Sequence, residues 1–145
     1  MKLESCYSED QLEELRAVAR KESRLAAIYV FGLRRAGDCD LAALFTEPLP
    51  WSDRLDLELA VARALGLEAI ELIDLRRMPL VARFDVIDRG EPVCVCHPDA
   101  LAVFIEETVA RYAAFYPLLE ALYWKVETKP LSEDMLGERP LATDQ

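Results

Sequence analysis

The sequence has no long uninterrupted apolar run, although 52% of its 145 residues are hydrophobic. Its apolar stretches are short or broken by charged residues, so we expect no membrane-spanning helix. The N-terminus lacks the basic and then apolar pattern of a signal peptide, because Met1–Asp10 is polar and acidic. These absences predict a globular cytoplasmic protein, and the chain is long enough to fold around a core of its own.

Basic residues are in short supply. Lys and Arg together number 17 against 27 Asp and Glu, which gives a formal net charge of −10. Bulk binding to nucleic acid or to an anionic membrane needs a basic surface, so both are unexpected here. The charge balance is still compatible with chemistry on a small phosphate compound, where local basic groups and a metal ion suffice.

The four cysteines lack the paired CxxC spacing that is typical of zinc sites. Cys94 and Cys96 would share one strand face beside His97, and a soft-metal site there is the less favoured interpretation. The favoured one is that Cys6, Cys39, Cys94 and Cys96 are all free thiols, largely buried, in a reducing compartment.

The most informative stretch is a pair of apolar runs near the middle of the chain. Ala26–Phe31 ends at Gly32, and Leu41–Phe45 follows a short basic turn. Runs of this length bounded by glycine predict two buried strands joined by a tight turn. Asp38 and Asp40 open the second strand and would lie on the same face. Two carboxylates this close indicate a site for Mg²⁺. The alternative is a simple hairpin turn with solvated arginines.

Helical and extended patterns alternate along the rest of the chain. They predict four helices, at Ser8–Glu22, Ser52–Leu65, Pro79–Gly90 and Ala100–Val126, and two further strands, at Leu67–Leu75 and Glu91–His97. Ser8 and Gln11 would form a capping box at the start of the first helix, and Ser52 or Asp53 would cap the second. Leu55, Leu59, Ala62 and Leu65 would form the buried stripe of the second helix. Because a helix separates the second and third strands, we expect a crossover connection. The predicted fold is α/β (α+β), a small mixed sheet of about four strands with helices packed on it.

The last predicted helix is long, and we expect a kink at Pro117. It is rich in aromatic residues: Phe104, Tyr112, Phe115, Tyr116, Tyr123 and Trp124. One core stripe would not need so many, so we expect part of this helix to pack on another chain, either a partner or a second copy. The polar composition after it predicts one domain over residues 1–126 and a mobile tail over 127–145.

The two-strand segment resembles the signature of the minimal nucleotidyltransferases, small relatives of the DNA polymerase beta fold. The matching residues are Gly32, Gly37, Asp38, Asp40 and Leu41. Glu71–Gly90 is similar to the third acidic strand of that family and the helix after it, so the resemblance covers Leu25–Pro98. The sequence departs from the family in two ways: Leu33 replaces a serine, and the loop before the first aspartate is shortened.

The resemblance implies a set of site residues. Asp38, Asp40 and Glu71 would be the catalytic carboxylates and the ligands of Mg²⁺, which acts on ATP as substrate. Gly32, Arg34, Arg35 and Gly37 would bind the nucleotide phosphates. Asp74 is left out because strand alternation places it on the opposite face from Glu71. Arg76 and Arg77 would form a charge pair at a strand end, with a phosphate contact as the alternative.

The resemblance also implies a function. Minimal nucleotidyltransferases are often antitoxins that transfer AMP to a partner toxin with an all-helical HEPN domain. Leu33 and the short loop leave two alternatives open. In one, the site is degenerate and the protein neutralises its partner by binding alone. In the other, the protein is a scaffold that binds a nucleoside triphosphate without turnover.

Overall fold

The computed structural model describes residues 6–32 and 39–128, with side chains up to Trp124. The helices are α1 (Glu9–Lys21), α2 (Trp51–Leu65), α3 (Leu80–Arg89) and α4 (Pro98–Thr128). The strands are β1 (Leu25–Phe31), β2 (Asp40–Phe45), β3 (Leu72–Asp74) and β4 (Glu91–Val95), and a 3₁₀ helix (Leu75–Arg77) follows β3. The described residues fall into two compact units, one up to Tyr112 and one from Ala113. The predicted tail lies, from residue 129, outside the described residues.

The four strands form one mixed sheet in the order β3-β2-β1-β4. β1 is antiparallel to both β2 and β4, whereas β2 and β3 are parallel and are connected through α2. The predicted hairpin, crossover connection and mixed four-stranded sheet are therefore confirmed. No helix in the described part of the chain is long and apolar enough to cross a membrane.

Each face of the sheet is covered by its own apolar cluster. One cluster joins Leu41 and Ala43 of β2 to Leu15 of α1 and Val61 of α2. The other joins Ala42 and Leu44 of β2 to Val86 of α3 and Phe104 of α4. Alternate residues of β2 thus point into different clusters, as the period of two requires, and a central strand buried on both faces explains its nearly continuous apolar sequence.

The first helix forms as its sequence predicts. Ser8 accepts a hydrogen bond from the backbone N–H of Gln11, and the Gln11 side chain accepts one from the backbone N–H of Ser8. This reciprocal pair satisfies two of the backbone donors that every helix leaves unpaired at its start.

The second helix differs from the prediction at its start and in its buried stripe. It begins at Trp51 after Pro50, without a side-chain cap, and Asp53 instead pairs with Arg24 at 3.2 Å. Its buried residues are Leu57, Val61, Ala62 and Leu65. The predicted Leu55 and Leu59 are 38% and 46% exposed. Both faces of this helix carry apolar residues, so the periodicity of the sequence alone could not show which face is buried.

Strand β3 is shorter than predicted, because residues 67–71 form no strand and Leu75 begins the 3₁₀ helix. Its outer edge is held by α2. The Glu58 carboxylate accepts a hydrogen bond from Leu72 N–H at 2.9 Å, and the Arg54 guanidinium donates to the Leu72 carbonyl. At the opposite edge of the sheet, Arg16 Nε donates a hydrogen bond to the Val93 carbonyl of β4 at 3.0 Å. Both edge strands therefore have backbone groups satisfied by arginine or glutamate side chains.

Two glycines allow a test of steric and conformational demands. A Cβ on Gly90 would lie 2.6 Å from the Val86 carbonyl oxygen and 3.1 Å from that of Val30, so Gly90→Ala must displace backbone. Gly66 has φ +73°, but the nearest atom to its Cβ would be Gln11 Nε2 at 3.9 Å. We expect Gly90→Ala to cost about 3 kcal/mol by overpacking and Gly66→Ala about 1 kcal/mol by strain, measured by urea unfolding. Equal stability of Gly90→Ala and the wild type would contradict this packing.

Candidate functional site

Two of the predicted carboxylates lie on neighbouring strands. Asp40 is the first residue of β2, and Glu71 directly precedes β3. The parallel register of β2 and β3 pairs Leu41 with Leu72. Asp40 and Glu71 are the residues that directly precede this pair. Neighbouring strands are about 4.8 Å apart, and residues in register point to the same face. Asp40 and Glu71 therefore lie at the same end of the sheet, at the starts of two neighbouring parallel strands.

The surroundings of Glu71 are polar and open to solvent. Glu71 is exposed and lines a cavity of about 360 Å³ together with Arg54 and Arg77. Asp74 also reaches this cavity, but its carboxylate accepts a hydrogen bond from the backbone N–H of Arg76 at 3.0 Å and begins the 3₁₀ helix. Arg54 therefore adds a basic group near Glu71 that no sequence motif indicated.

The other predicted site residues divide into one that the structure describes and four that it does not. Gly32 follows Phe31, and Phe31 pairs with Asp40 across the hairpin, so Gly32 lies at the same end of the sheet as the carboxylates. Asp38, the predicted partner of Asp40, lies outside the described residues. So do Arg34, Arg35 and Gly37, and their assignment stays a prediction.

Two residues near this end of the sheet were not anticipated. The Tyr7 hydroxyl donates a hydrogen bond to the Cys39 carbonyl at 3.2 Å. Burial raises the pKa of Tyr7, and the charge of Asp40, the residue after Cys39, raises it further. Glu91 pairs with Val30 at the same end of the sheet, and its Oε1 is buried without a hydrogen-bond partner in the described structure. Both contacts join positions far apart in the chain, which explains why local patterns did not reveal them.

The donor chemistry of the acidic pair suits magnesium. Within residues 6–32 and 39–128, no group of three or more His, Cys, Asp or Glu side chains is arranged to hold a metal ion. The predicted set of three includes Asp38, which lies outside that range. Carboxylate oxygens are the ligands that Mg²⁺ prefers, and one or two of them commonly act together with substrate phosphates. Asp40 and Glu71 fit that arrangement.

The cysteines correct one prediction. Cys6 and Cys39 form a disulfide, with their Cα atoms 6.0 Å apart, so the expectation of four free thiols is wrong. The bridge joins the segment before α1 to the residue next to Asp40. Cys94 and Cys96 are free, and burial raises the pKa of Cys94 to about 11. His97 Nε2 lies 2.7 Å from the Ser23 carbonyl oxygen, which indicates a structural role.

Comparison with known proteins places this geometry in context. No protein-family model matches the sequence, and no curated protein is significantly similar to it. Solved structures are similar. The toxin–antitoxin MntA-HepT shares 24% identity at a TM-score of 0.60, over 81% of this chain and 97% of that chain. A structure of a tri-AMPylated Shewanella oneidensis HEPN toxin in complex with MNT antitoxin shares 24% sequence identity at a TM-score of 0.61, over 81% of this chain and 97% of that chain. A toxin–antitoxin structure with AMP-PNP shares 24% sequence identity at a TM-score of 0.58, over 83% of this chain and 99% of that chain. The chain has the α+β fold of the minimal nucleotidyltransferase (MNT) antitoxins.

Proposed function

We propose that this protein is the antitoxin of a toxin–antitoxin pair and that it transfers AMP from Mg²⁺-bound ATP to a HEPN-type partner protein. The observation that carries the proposal is the position of Asp40 and Glu71 at the ends of two neighbouring parallel strands. That position, in a chain with the fold of MNT antitoxins, supports a carboxylate site for a metal–nucleotide complex.

The residues of the chain would act mainly by positioning and by charge. Asp40 and Glu71, joined by Asp38, would hold Mg²⁺, which when bound neutralises charge on the phosphates of ATP. Arg34, Arg35 and the backbone at Gly32 and Gly37 would orient the triphosphate. An oxygen of the partner protein attacks the α-phosphorus, and pyrophosphate leaves with the electrons of the broken bond. In this proposal the acceptor oxygen belongs to the partner protein.

The similar structures support the choice of nucleotide and partner. One contains AMP-PNP, and another contains an AMPylated HEPN toxin bound to MNT antitoxin. These facts concern those proteins. For this chain they make ATP the first nucleotide to test and a HEPN protein encoded beside it the first acceptor.

A second candidate function is neutralisation by binding alone. Leu33 removes the hydroxyl that a serine would contribute to the phosphate cradle. In the unit that starts at Ala113, α4 carries large apolar side chains that are 59–64% exposed: Leu118, Leu122, Tyr123 and Trp124. An exposed apolar surface of this kind is suited to a protein partner and would function without nucleotide.

The test combines the purified chain, the neighbouring HEPN protein and ATP labelled on the α-phosphate. We expect Mg²⁺-dependent label on the HEPN protein, none when EDTA is added, and none when the label is on the γ-phosphate. Inhibition of the partner at equal molar ratio without ATP, with no label transferred, would select the binding-only function. Neither label nor inhibition would contradict the antitoxin assignment itself.

A further inference from the structure

Two arginines lie over one buried aromatic ring on the α3 side of the sheet, and a third lies further along α4. The Cζ atoms of Arg76 and Arg83 lie 5.4 Å and 5.7 Å from the centroid of the Phe104 ring. Phe104 is 2% exposed. Arg111 lies seven positions after Phe104, on the same face of α4, and its charge adds to the effect of burial in lowering the pKa of Arg83. We call Arg76, Arg83 and Arg111 the arginine cluster.

The cluster is held in place by backbone carbonyls. Arg83 donates to the carbonyls of Arg76 and Met78 at 3.0 and 3.1 Å. Arg76 Nε donates to the Phe45 carbonyl at 3.2 Å. These bonds use only part of the five N–H groups that each guanidinium carries. The side chains of Arg76 and Arg83 are thus fixed in space and keep N–H groups that these bonds do not use.

The cluster has no carboxylate partner within the part of the chain that the structure describes. Elsewhere arginines pair with acids, as Arg24 does with Glu22 at 2.7 Å and Arg89 with Asp85 at 2.7 Å. No such ion pair involves Arg76, Arg83 or Arg111 among the described residues. The protein has a net charge of −10, so these three arginines without a carboxylate partner form a local basic region on an acidic protein.

One buried atom of the cluster and one buried atom on the Phe104 face of α4 also lack hydrogen-bond partners in the described structure. Arg83 Nε and Thr108 Oγ1 are both inaccessible to water and have no hydrogen-bond partner in the described structure. Thr108 is 1% exposed and lies on the same face of α4 as Phe104 and Arg111, four positions after the first and three before the second. Burial lowers the pKa of Arg83, and the charges of Arg111 and Arg76 lower it further. Buried donors without acceptors are uncommon in folded proteins, and they indicate that an acceptor is missing.

We propose that the arginine cluster is a binding site for a dianionic phosphoryl group, separate from the acidic site at Asp40 and Glu71. A single carboxylate would neutralise one of three positive charges, whereas a phosphate monoester carries about −1.5 to −2 at pH 7. Guanidinium forks match phosphate oxygens in pairs. The Phe104 ring is covered, so the site recognises the phosphoryl group and offers no face on which a base could stack.

The cluster lies at the opposite end of β2 from the acidic site. Arg76 bonds to Phe45, the last residue of β2, and Asp40 is the first. Five residue steps at about 3.3 Å each separate the two ends by roughly 16 Å. A triphosphate bound at Asp40 would not reach this far, so the inference does not depend on the proposed nucleotidyl transfer.

The experiment is a calorimetric titration of the full chain with inorganic phosphate, at low ionic strength. We expect saturable binding that Arg111→Gln weakens by at least about tenfold, since a charge-assisted hydrogen bond contributes this much. Arg111 makes no hydrogen bond in the described structure, so this variant should fold normally. Arg77→Gln is the matched control, because it removes the same charge from a neighbouring residue that faces the Glu71 cavity instead.

The remaining outcomes separate the proposal from its competitors. Asp40→Asn should bind phosphate as the wild type does. A parallel titration with AMP identifies the source, since binding of AMP as well as phosphate indicates a phosphate monoester and binding of phosphate alone indicates the free ion. Absence of saturable binding would overturn the proposal, as would an equal loss in Arg77→Gln or equally tight binding of succinate.

Discussion

Asp40→Asn is expected to reduce AMP transfer by about a thousandfold, because losing a metal ligand removes several kcal/mol of transition-state stabilisation and 4 kcal/mol corresponds to roughly that factor. Asparagine keeps the shape of the side chain and one oxygen acceptor but loses the negative charge. The fold should survive, since Asp40 is half-buried at a strand end and the cores on both faces of β2 begin at Leu41. Transfer of label to the partner protein tests the expected loss of activity, and the melting temperature of the variant tests whether the fold is intact.

The matched control for this variant is Asp74→Asn. Asp74 lines the same cavity as Glu71, but its oxygen accepts a hydrogen bond from Arg76 N–H, which an amide oxygen can also accept. Its transfer rate should equal that of the wild type. Full activity in Asp40→Asn would reject the carboxylate site, and an equal loss in Asp74→Asn would show that the effect is not specific to the proposed ligands.

Reducing the Cys6–Cys39 disulfide is expected to destabilise the protein by about 4 kcal/mol, which corresponds to a fall in melting temperature of roughly 10 °C. The bridge closes a loop with a sequence separation of 33 residues, and opening it returns that conformational freedom to the unfolded chain. The measurement is thermal unfolding with and without dithiothreitol.

The control for the disulfide is Cys39→Ser, which should melt at the temperature of the reduced wild type and should not respond to dithiothreitol. Cys96→Ser, which alters a free thiol, should keep the full response. An oxidised wild type that melts at the same temperature as the reduced protein would contradict the expected contribution of the bridge. The same variants would show whether the transfer rate depends on the link between Cys39 and the segment before α1.

Local patterns predicted the parts of this fold that depend on local physics. The capping box at Ser8 and the hairpin of β1 and β2 each follow from residues within a few positions of one another. The crossover through α2 follows from the order of strand, helix and strand. Where two local solutions were nearly equal the prediction was wrong, as with the buried stripe of α2, which uses Leu57 and Val61 in place of Leu55 and Leu59.

Contacts between distant positions could not be predicted in this way. The pairing of Cys6 with Cys39 depends on how the segment before α1 meets the hairpin, and four cysteines allow several pairings. The arginine cluster joins residues from the 3₁₀ helix, α3 and α4. At the candidate site, a resemblance indicated Asp40 and Glu71, and the register of β2 and β3 pairs the residues that follow them, Leu41 and Leu72. The proximity of Tyr7 to Asp40 emerged only from the folded chain.

The arginine and glutamate side chains at the two sheet edges bear on how this protein can associate. An unblocked edge strand can recruit a strand from another molecule and start a continuous polymer of sheets. Here Glu58 and Arg54 occupy the backbone of Leu72 on one side, and Arg16 occupies the carbonyl of Val93 on the other. Pro92, which has no N–H, further weakens β4 as a template. Assembly by strand addition is therefore disfavoured at both edge strands. We expect any complex that this protein forms to use its helices.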